Sequence, residues 1–323
     1  MFAPGLAMLW EPTDPTTALV ERFGLADLDS ATRWLSAALL SGWGLRAAGV
    51  ERILISDVNA LAWVHTEDAT VVVKVSSFVP GFARLDDIAA LVGDLEADGL
   101  PVAAPLPALD GRRRRVVESD RPLSVAVHPM IDGDLLDVDD VTAVGATGEV
   151  VGRLHVALAA VDPAPFGHGP REITGDLREH IASGRESLPE ARAPRACARL
   201  GDLLETLPDL DVPPQLGHGD VRGANVLVRD HQVAALLDFD EVSVRHRTAE
   251  VSLGAVLLAT EFRRWPPAPL AAQRAFLDGY GGVVPLTDAE HGWSEALRLW
   301  FGLTQIPAGD DPAGWAAAVE QSV

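Results

Sequence analysis

The sequence predicts an α+β protein of two lobes, a small five-stranded antiparallel sheet with one helix, followed by a larger and mainly helical lobe. Three observations predict it. Between Val50 and Val127 the chain runs in short β-branched stretches, ERILISD, LAWVHTE, TVVVKVSSF, RRVVESD and LSVAVH, separated by turn formers. Beyond VAVHPMIDGDLLD the apolar residues recur at helical spacing instead. A hydrophobic fraction of 48% with 23% charged residues is that of a folded chain, long enough to bury about three quarters of its unfolded surface.

In order, DPTTALVERFG (14–24) and DSATRWLSAALLSGW (29–43) read as helices opened by acidic caps and closed near glycine, which makes 1–48 an N-terminal helical extension. Residues 49–128 form the sheet lobe. Its one helix, Ala83 to Asp98, places Leu85, Ile88, Val92 and Leu95 on one face. Residues 129–136 form a hinge and 137–323 the helical lobe, with helices expected over 141–161, 174–206, 248–263, 268–281, 287–302 and 311–321. The proline- and glycine-rich stretches around 163–172 and at 265–269 read as loops.

Forty-seven acidic against twenty-six basic residues give a net charge of −21, which repels phosphate backbones and anionic membranes and excludes nucleic acid and membrane surfaces as expected partners. The N-terminus carries no positive leader, and Pro4 and Glu11 break its apolar stretch, so a cytoplasmic location is expected. Cys197 is the lone cysteine and reads as structural. Every basic residue is arginine except Lys74, inside the buried strand TVVVKV. Desolvating an ammonium group is costly without a partner, so lysine at this place suggests a need for a compact point charge.

The densest chemical signal is LGHGDVRGANVLV followed by AALLDFDEV. Asp220, Asn225 and Asp238 are oxygen ligands or acceptors on a loop, at its end and after a short strand. Phosphoryl transfer needs that supply: oxygens for Mg2+, an aspartate for the attacking hydroxyl, and cations on the phosphates. HGDVRGAN resembles the catalytic loop of protein kinases and of aminoglycoside phosphotransferases, with aspartate first, a cation two residues later and asparagine five later. LLDFD resembles the metal-binding segment that follows in both. The histidine and glycine before the aspartate, and the short interval to Asp238, are closer to the aminoglycoside phosphotransferase and choline kinase-like small-molecule kinases.

The resemblance, over roughly residues 50–300, implies a bilobal protein kinase-like fold and ATP-dependent transfer, with GTP as the alternative donor, of the γ-phosphate to a hydroxyl of a small, cationic or sugar-like molecule. The enzyme would act as a monomer or homodimer. It assigns Asp220 to the acceptor hydroxyl and Arg222 to the γ-phosphoryl charge. Asn225 and Asp238, with Asp240 beside them, go to Mg2+, Lys74 to the α and β phosphates, and His128 to Met130 to the adenine. Two positions depart from the pattern. ISDVNALAW lacks glycines over the phosphates, leaving Asn59 as the candidate there, and among Asp86, Asp87, Asp94 and Glu96 the partner of Lys74 matches best at Asp87.

His218 reads as a scaffold residue and Glu250 as a framework acid; Asp278, Glu290, Asp310 and Asp311 are candidate amine-binding acids, and the RRRR run at 112–115 reads as a solvated hairpin strand. Other readings stay open at this point: a kinase of a primary metabolite such as a choline-like alcohol, homoserine or a sugar; a metal-dependent hydrolase built on His218, Asp220, Asp238, Asp240 and His246; and a silent kinase-like binding module.

Overall fold

The computed structural model describes residues 3–166 and 175–323, so the expected loop at 163–172 lies largely outside the described residues. The chain divides into two compact units, Met1–Ile131 and Asp132–Val323. Among the described residues no helix is long and apolar enough to cross a membrane.

The first unit is built on one sheet of β1 (Gly5–Met8), β2 (Ala47–Ile55), β3 (Asn59–Thr66), β4 (Thr70–Ser76), β5 (Arg115–Glu118) and β6 (Pro122–Pro129), in the order β1-β2-β3-β4-β6-β5. The five expected strands are antiparallel neighbours; the sixth, β1, adds to the edge parallel to β2 with Leu6 opposite Ile53. GLAM is four residues long and shows no alternation, so its pairing came only with the tertiary fold.

Helices α1 (Pro15–Ala18, running on as a π-helical turn Leu19–Phe23) and α2 (Leu28–Trp43) start at Asp14 and Asp27, whose side chains accept from Thr17 and Ser30 backbone N–H groups. They are packed into the sheet: Leu19, Phe23, Leu35 and Leu39 share one core with Val71, Val73 and Val75. Because side chains alternate along a strand, Lys74 faces away from that core. Helix α3 (Phe82–Ala97) connects β4 to β5. The arginine run leads into the β5–β6 hairpin as expected but is only partly solvated: exposed Arg112 pairs with Asp86, Arg113 donates to the Pro105 carbonyl, buried Arg114 donates to Ser124 Oγ at 2.6 Å, and Arg115 pairs with Asp110 at 3.3 Å.

The second unit contains α4 (Val141–Leu158), α5 (Leu177–Gly184), α6 (Pro194–Thr206), α7 (Arg247–Leu257), α8 (Leu270–Val283), α9 (Asp288–Gln305) and α10 (Trp315–Gln321). The single helix expected over 174–206 is two, since Pro189 and Pro194 break the segment between them. Short strands β7 (Asp134–Leu135), β8 (Gln215–Gly217), β9 (Val226–Arg229), β10 (Gln232–Leu236) and β11 (Ser243–Arg245) form a three-stranded sheet β10-β9-β7 and a pair β8-β11. Asp230 and His231, both at positive φ, turn β9 into β10. Ile181, Leu200, Trp293, Leu297, Trp300 and Trp315 centre one core of this unit.

Helices α4 and α8 touch backbone to backbone. A Cβ on Gly148 would lie 2.0 Å from the Phe276 carbonyl oxygen, so no larger residue fits without moving a helix. Gly148→Ala is expected to cost about 2–3 kcal/mol in urea unfolding. Gly281→Ala on α8, where a Cβ meets nothing within 4 Å, is expected to be neutral or stabilising by up to about 1 kcal/mol.

Candidate active site

The loop leaving β8 carries His218, Gly219, Asp220 and Arg222 and ends in a 3-10 turn, Gly223–Asn225, that feeds β9. Gly219 has φ 91°, and a Cβ there would sit 2.3 Å from the Glu241 carbonyl, so the turn demands glycine. His218 spends both ring nitrogens on backbone: Nε2 donates to the Leu237 carbonyl at 2.9 Å and Nδ1 accepts from the Asp220 N–H at 3.2 Å. Its ring packs 4.4 Å from Phe239. One histidine thereby clips the Asp220 loop to the LLDFD segment.

Asp220 Oδ2 accepts from Arg222 Nε at 2.9 Å and from Asn225 Nδ2 at 2.8 Å, and the same Asn225 amide donates to the Asp220 carbonyl at 2.8 Å. These bonds fix the amide orientation. With its NH2 turned to Asp220, the buried Asn225 presents oxygen on its other side, the atom a hard cation would take. Asp238 follows β10 in the left-handed region, φ 61° and ψ 68°, which costs a non-glycine residue of order 1 kcal/mol and clusters at functional sites. It is exposed, and Asp240 next to it is half-buried. An amide oxygen and one or two carboxylates suit Mg2+, which completes its shell with water and phosphate.

The hydrolase reading loses its ligand set here. Both His218 nitrogens face backbone, His246 Nε2 approaches the Gly175 carbonyl at 3.3 Å, and no group of three or more His, Cys, Asp or Glu among the described residues is placed to hold a metal.

Behind the loop lies Glu250 of α7, 3% exposed. It accepts from the Gly219 N–H at 2.8 Å and from His155 Nε2 of α4 at 3.0 Å, and His155 Nδ1 in turn meets the Tyr280 hydroxyl of α8 at 2.8 Å. Burial alone would raise this carboxyl; the His155 hydrogen bond and charge, the Arg245 charge and the Gly219 N–H outweigh it and bring it down to about 2. Burial also holds the Tyr280 phenol above its ordinary value. A Cβ on Gly217 would fall 1.7 Å from Glu250 Oε2, which accounts for the other glycine of LGHGD.

The remaining candidates lie in the first unit. Lys74 is 9% exposed, between Leu61 and Ala126 across the sheet. Asn59 opens β3 after a two-residue hairpin turn closed by Ser56 and Asn59 backbone bonds of 2.8 and 3.2 Å, a turn too short to wrap phosphates as a glycine-rich loop does. His128 turns its ring to the Ala103 carbonyl at 3.0 Å, and Met130, just past β6, is exposed. Asp87 stands on the exposed face of α3, and its neighbour Asp86 pairs with Arg112.

Of the acids considered for amine binding, Glu290 is fully buried between Arg247, Thr248 and the Thr287 N–H, and Asp311 accepts from the first backbone N–H groups of α10, so both are structural. The sequence reading missed three residues, His155 of the Glu250 network among them. Tyr280 is the chain's single tyrosine, a signal as plain as the single lysine, and Trp265, in the segment read only as a loop, places its ring 5.5 Å from the Arg222 guanidinium carbon.

Against this geometry, the profile of the phosphotransferase enzyme family matches residues 56–293. No curated protein matches by sequence. Solved structures match the fold. Spectinomycin phosphotransferase APH(9)-Ia, in complex with ADP and spectinomycin, aligns at TM-score 0.56 and 15% identity over 90% of this chain and 98% of its own. Macrolide 2'-phosphotransferase MphH from Brachybacterium faecium aligns at 0.55 and 20% over 91% and 98%. A microcompartment-associated aminopropanol kinase aligns at 0.55 and 18% over 89% and 93%.

Because the Glu250 carboxyl lies below its ordinary 4.5, the stability it contributes is complete above about pH 4.5 and is lost as pH falls toward about 2. Glu250→Ala is expected to cost about 3 kcal/mol or more at pH 7. Glu250→Gln should unfold with a shallower loss of stability between pH 4.5 and 2 than the parent; equal slopes in denaturant melts across that window would refute the assignment.

Proposed function

The chain belongs to the phosphotransferase enzyme family, and from that premise we propose that it transfers the γ-phosphate of ATP to a hydroxyl of a small molecule, cationic or sugar-like, with Asp220 as the catalytic residue. The observation that carries this reading is the clamp on Asp220. Arg222 and Asn225 hold one carboxylate oxygen from two sides, so the carboxylate is oriented before any acceptor arrives.

In the reaction, the acceptor oxygen forms a bond to the γ-phosphorus, the bond from that phosphorus to the bridging oxygen of ADP breaks, and the hydroxyl proton passes to Asp220. Arg222, bonded to Asp220 through Nε, keeps a cation beside the reacting oxygens. Asn225 and Asp238 would hold Mg2+, with Asp240 adjacent; when bound, the ion neutralises phosphate charge. Lys74 would place its single positive charge on the α and β phosphates, Asn59 would lie near them, and the backbone from His128 to Met130 would face the adenine. ADP in the spectinomycin phosphotransferase complex supports ATP as donor. Neighbours named for spectinomycin, macrolides and aminopropanol support a small-molecule acceptor and span both antibiotics and an amino alcohol. The net charge of −21 favours a cationic one.

The test is mass-spectrometric detection of phosphate transfer from Mg-ATP to a panel of aminoglycosides, amino sugars, macrolides, peptide antibiotics and amino alcohols. Asp220→Ala should lower kcat at least about 100-fold with nucleotide binding retained. Asn225→Ala should raise the Mg2+ concentration for half-maximal activity about tenfold or more. Nucleotide binding without transfer to any compound would point to a binding module, and phosphate-ester cleavage without nucleotide to a hydrolase.

A further inference from the structure

The segment between α7 and α8 holds a large aromatic side chain partly in solvent beside the clamped aspartate. Trp265 is 40% exposed. Its indole Nε1 donates to Gln305 Oε1 at 2.9 Å, and its carbonyl accepts from Nε1 of buried Trp315 at 2.7 Å. Pro266, Pro267 and Pro269 follow it and stiffen the backbone, and the segment is tied at both ends, by the Gly223 N–H on the Leu258 carbonyl at 3.0 Å and the Ala268 N–H on the Val256 carbonyl at 3.3 Å. The ring packs on Arg222, whose Nε bonds Asp220.

Full burial of an apolar side chain of this size is favourable by roughly 2–3 kcal/mol, so a side chain tied to Gln305 with much of its surface in water forgoes part of that gain. Held rigidly, its uncovered surface is preorganised for a ligand. A ligand there is at the same time within reach of the Arg222–Asp220 pair. Its one polar atom, Nε1, is committed to Gln305, so what Trp265 offers a ligand is aromatic surface, which takes flat C–H surfaces and cations.

We propose that Trp265 is the acceptor-positioning residue: its ring stacks against the saturated, ammonium-bearing ring of the acceptor and so brings a ring hydroxyl to Asp220. This rests on the kinase reading above. A short acyclic amino alcohol offers little surface to an indole, so the platform selects against it. The Arg222 stack gives Trp265 a second, purely structural effect, which the experiment must separate.

The probes are spectinomycin, hygromycin B and 1-amino-2-propanol, measured with Mg-ATP for transfer and by calorimetry for binding, on the parent, Trp265→Phe and Trp265→Ala. Melting curves establish that each variant is folded. Expected is a KM for a ring-bearing acceptor raised about tenfold in Trp265→Ala with kcat lowered less than about threefold, and most of the affinity restored in Trp265→Phe. A fall in kcat with KM unmoved would mean that Trp265 only supports Arg222, and overturns the proposal. So would transfer confined to 1-amino-2-propanol, or no binding of either ring compound. Binding of a ring compound that is lost in Trp265→Ala, but without transfer, would uphold the platform and refute the kinase reading.

Discussion

A carboxylate shut away from water must find its donors inside the protein, and the donors that Glu250 finds hold the Asp220 loop in place. The Gly219 N–H is one and His155 is the other, with Tyr280 behind it. The loop is thereby fastened to α4, α7 and α8 through a single side chain. A carboxylate this buried contributes less to net stability than its hydrogen bonds suggest, because desolvation offsets most of the attraction; what it supplies is a high cost for any other arrangement. The glycines of LGHGD follow from it. Gly217 gives Glu250 room, and Gly219 lets the backbone turn tightly past the Glu241 carbonyl.

From that fixed loop the rest of the second-unit site is positioned by short links. His218 transmits the loop's placement to Leu237 and Phe239, which bracket Asp238. Asp238 then stands in a left-handed conformation that a non-glycine residue leaves readily unless its neighbours are pinned, and here they are. Asn225 closes the circuit by bonding both the backbone and the carboxylate of Asp220. The chemistry asked of such a site is mostly orientation and charge, which a rigid polar network supplies without reorganising during the reaction.

Charged side chains elsewhere show why burial has to be known before a charge is given a role. Glu290 seemed available for an amine, yet it is fully enclosed by Arg247, Thr248 and the turn that opens α9. The four arginines at 112–115 seemed a solvated stripe, yet each has its own acceptor. In a sequence these residues are indistinguishable from surface charges, because their burial and the groups they bond are set by the fold and not by the local run.

The sequence by itself determined the α+β class, the strands from β2 to β6, most helices of the second unit and the roster of chemical groups around Asp220. These are recorded in local periodicity and in motif spacing, both of which survive in one dimension. Only the tertiary structure decided that β1 joins the sheet in parallel, that His218 is spent on backbone, that Glu250, His155 and Tyr280 form one network, and that Trp265 lies on Arg222. Each of those depends on a contact between residues far apart in the chain or on how completely a polar group is enclosed. Neither leaves a periodic trace in the sequence, because the folding of the whole unit, not the local run of residues, brings the partners together.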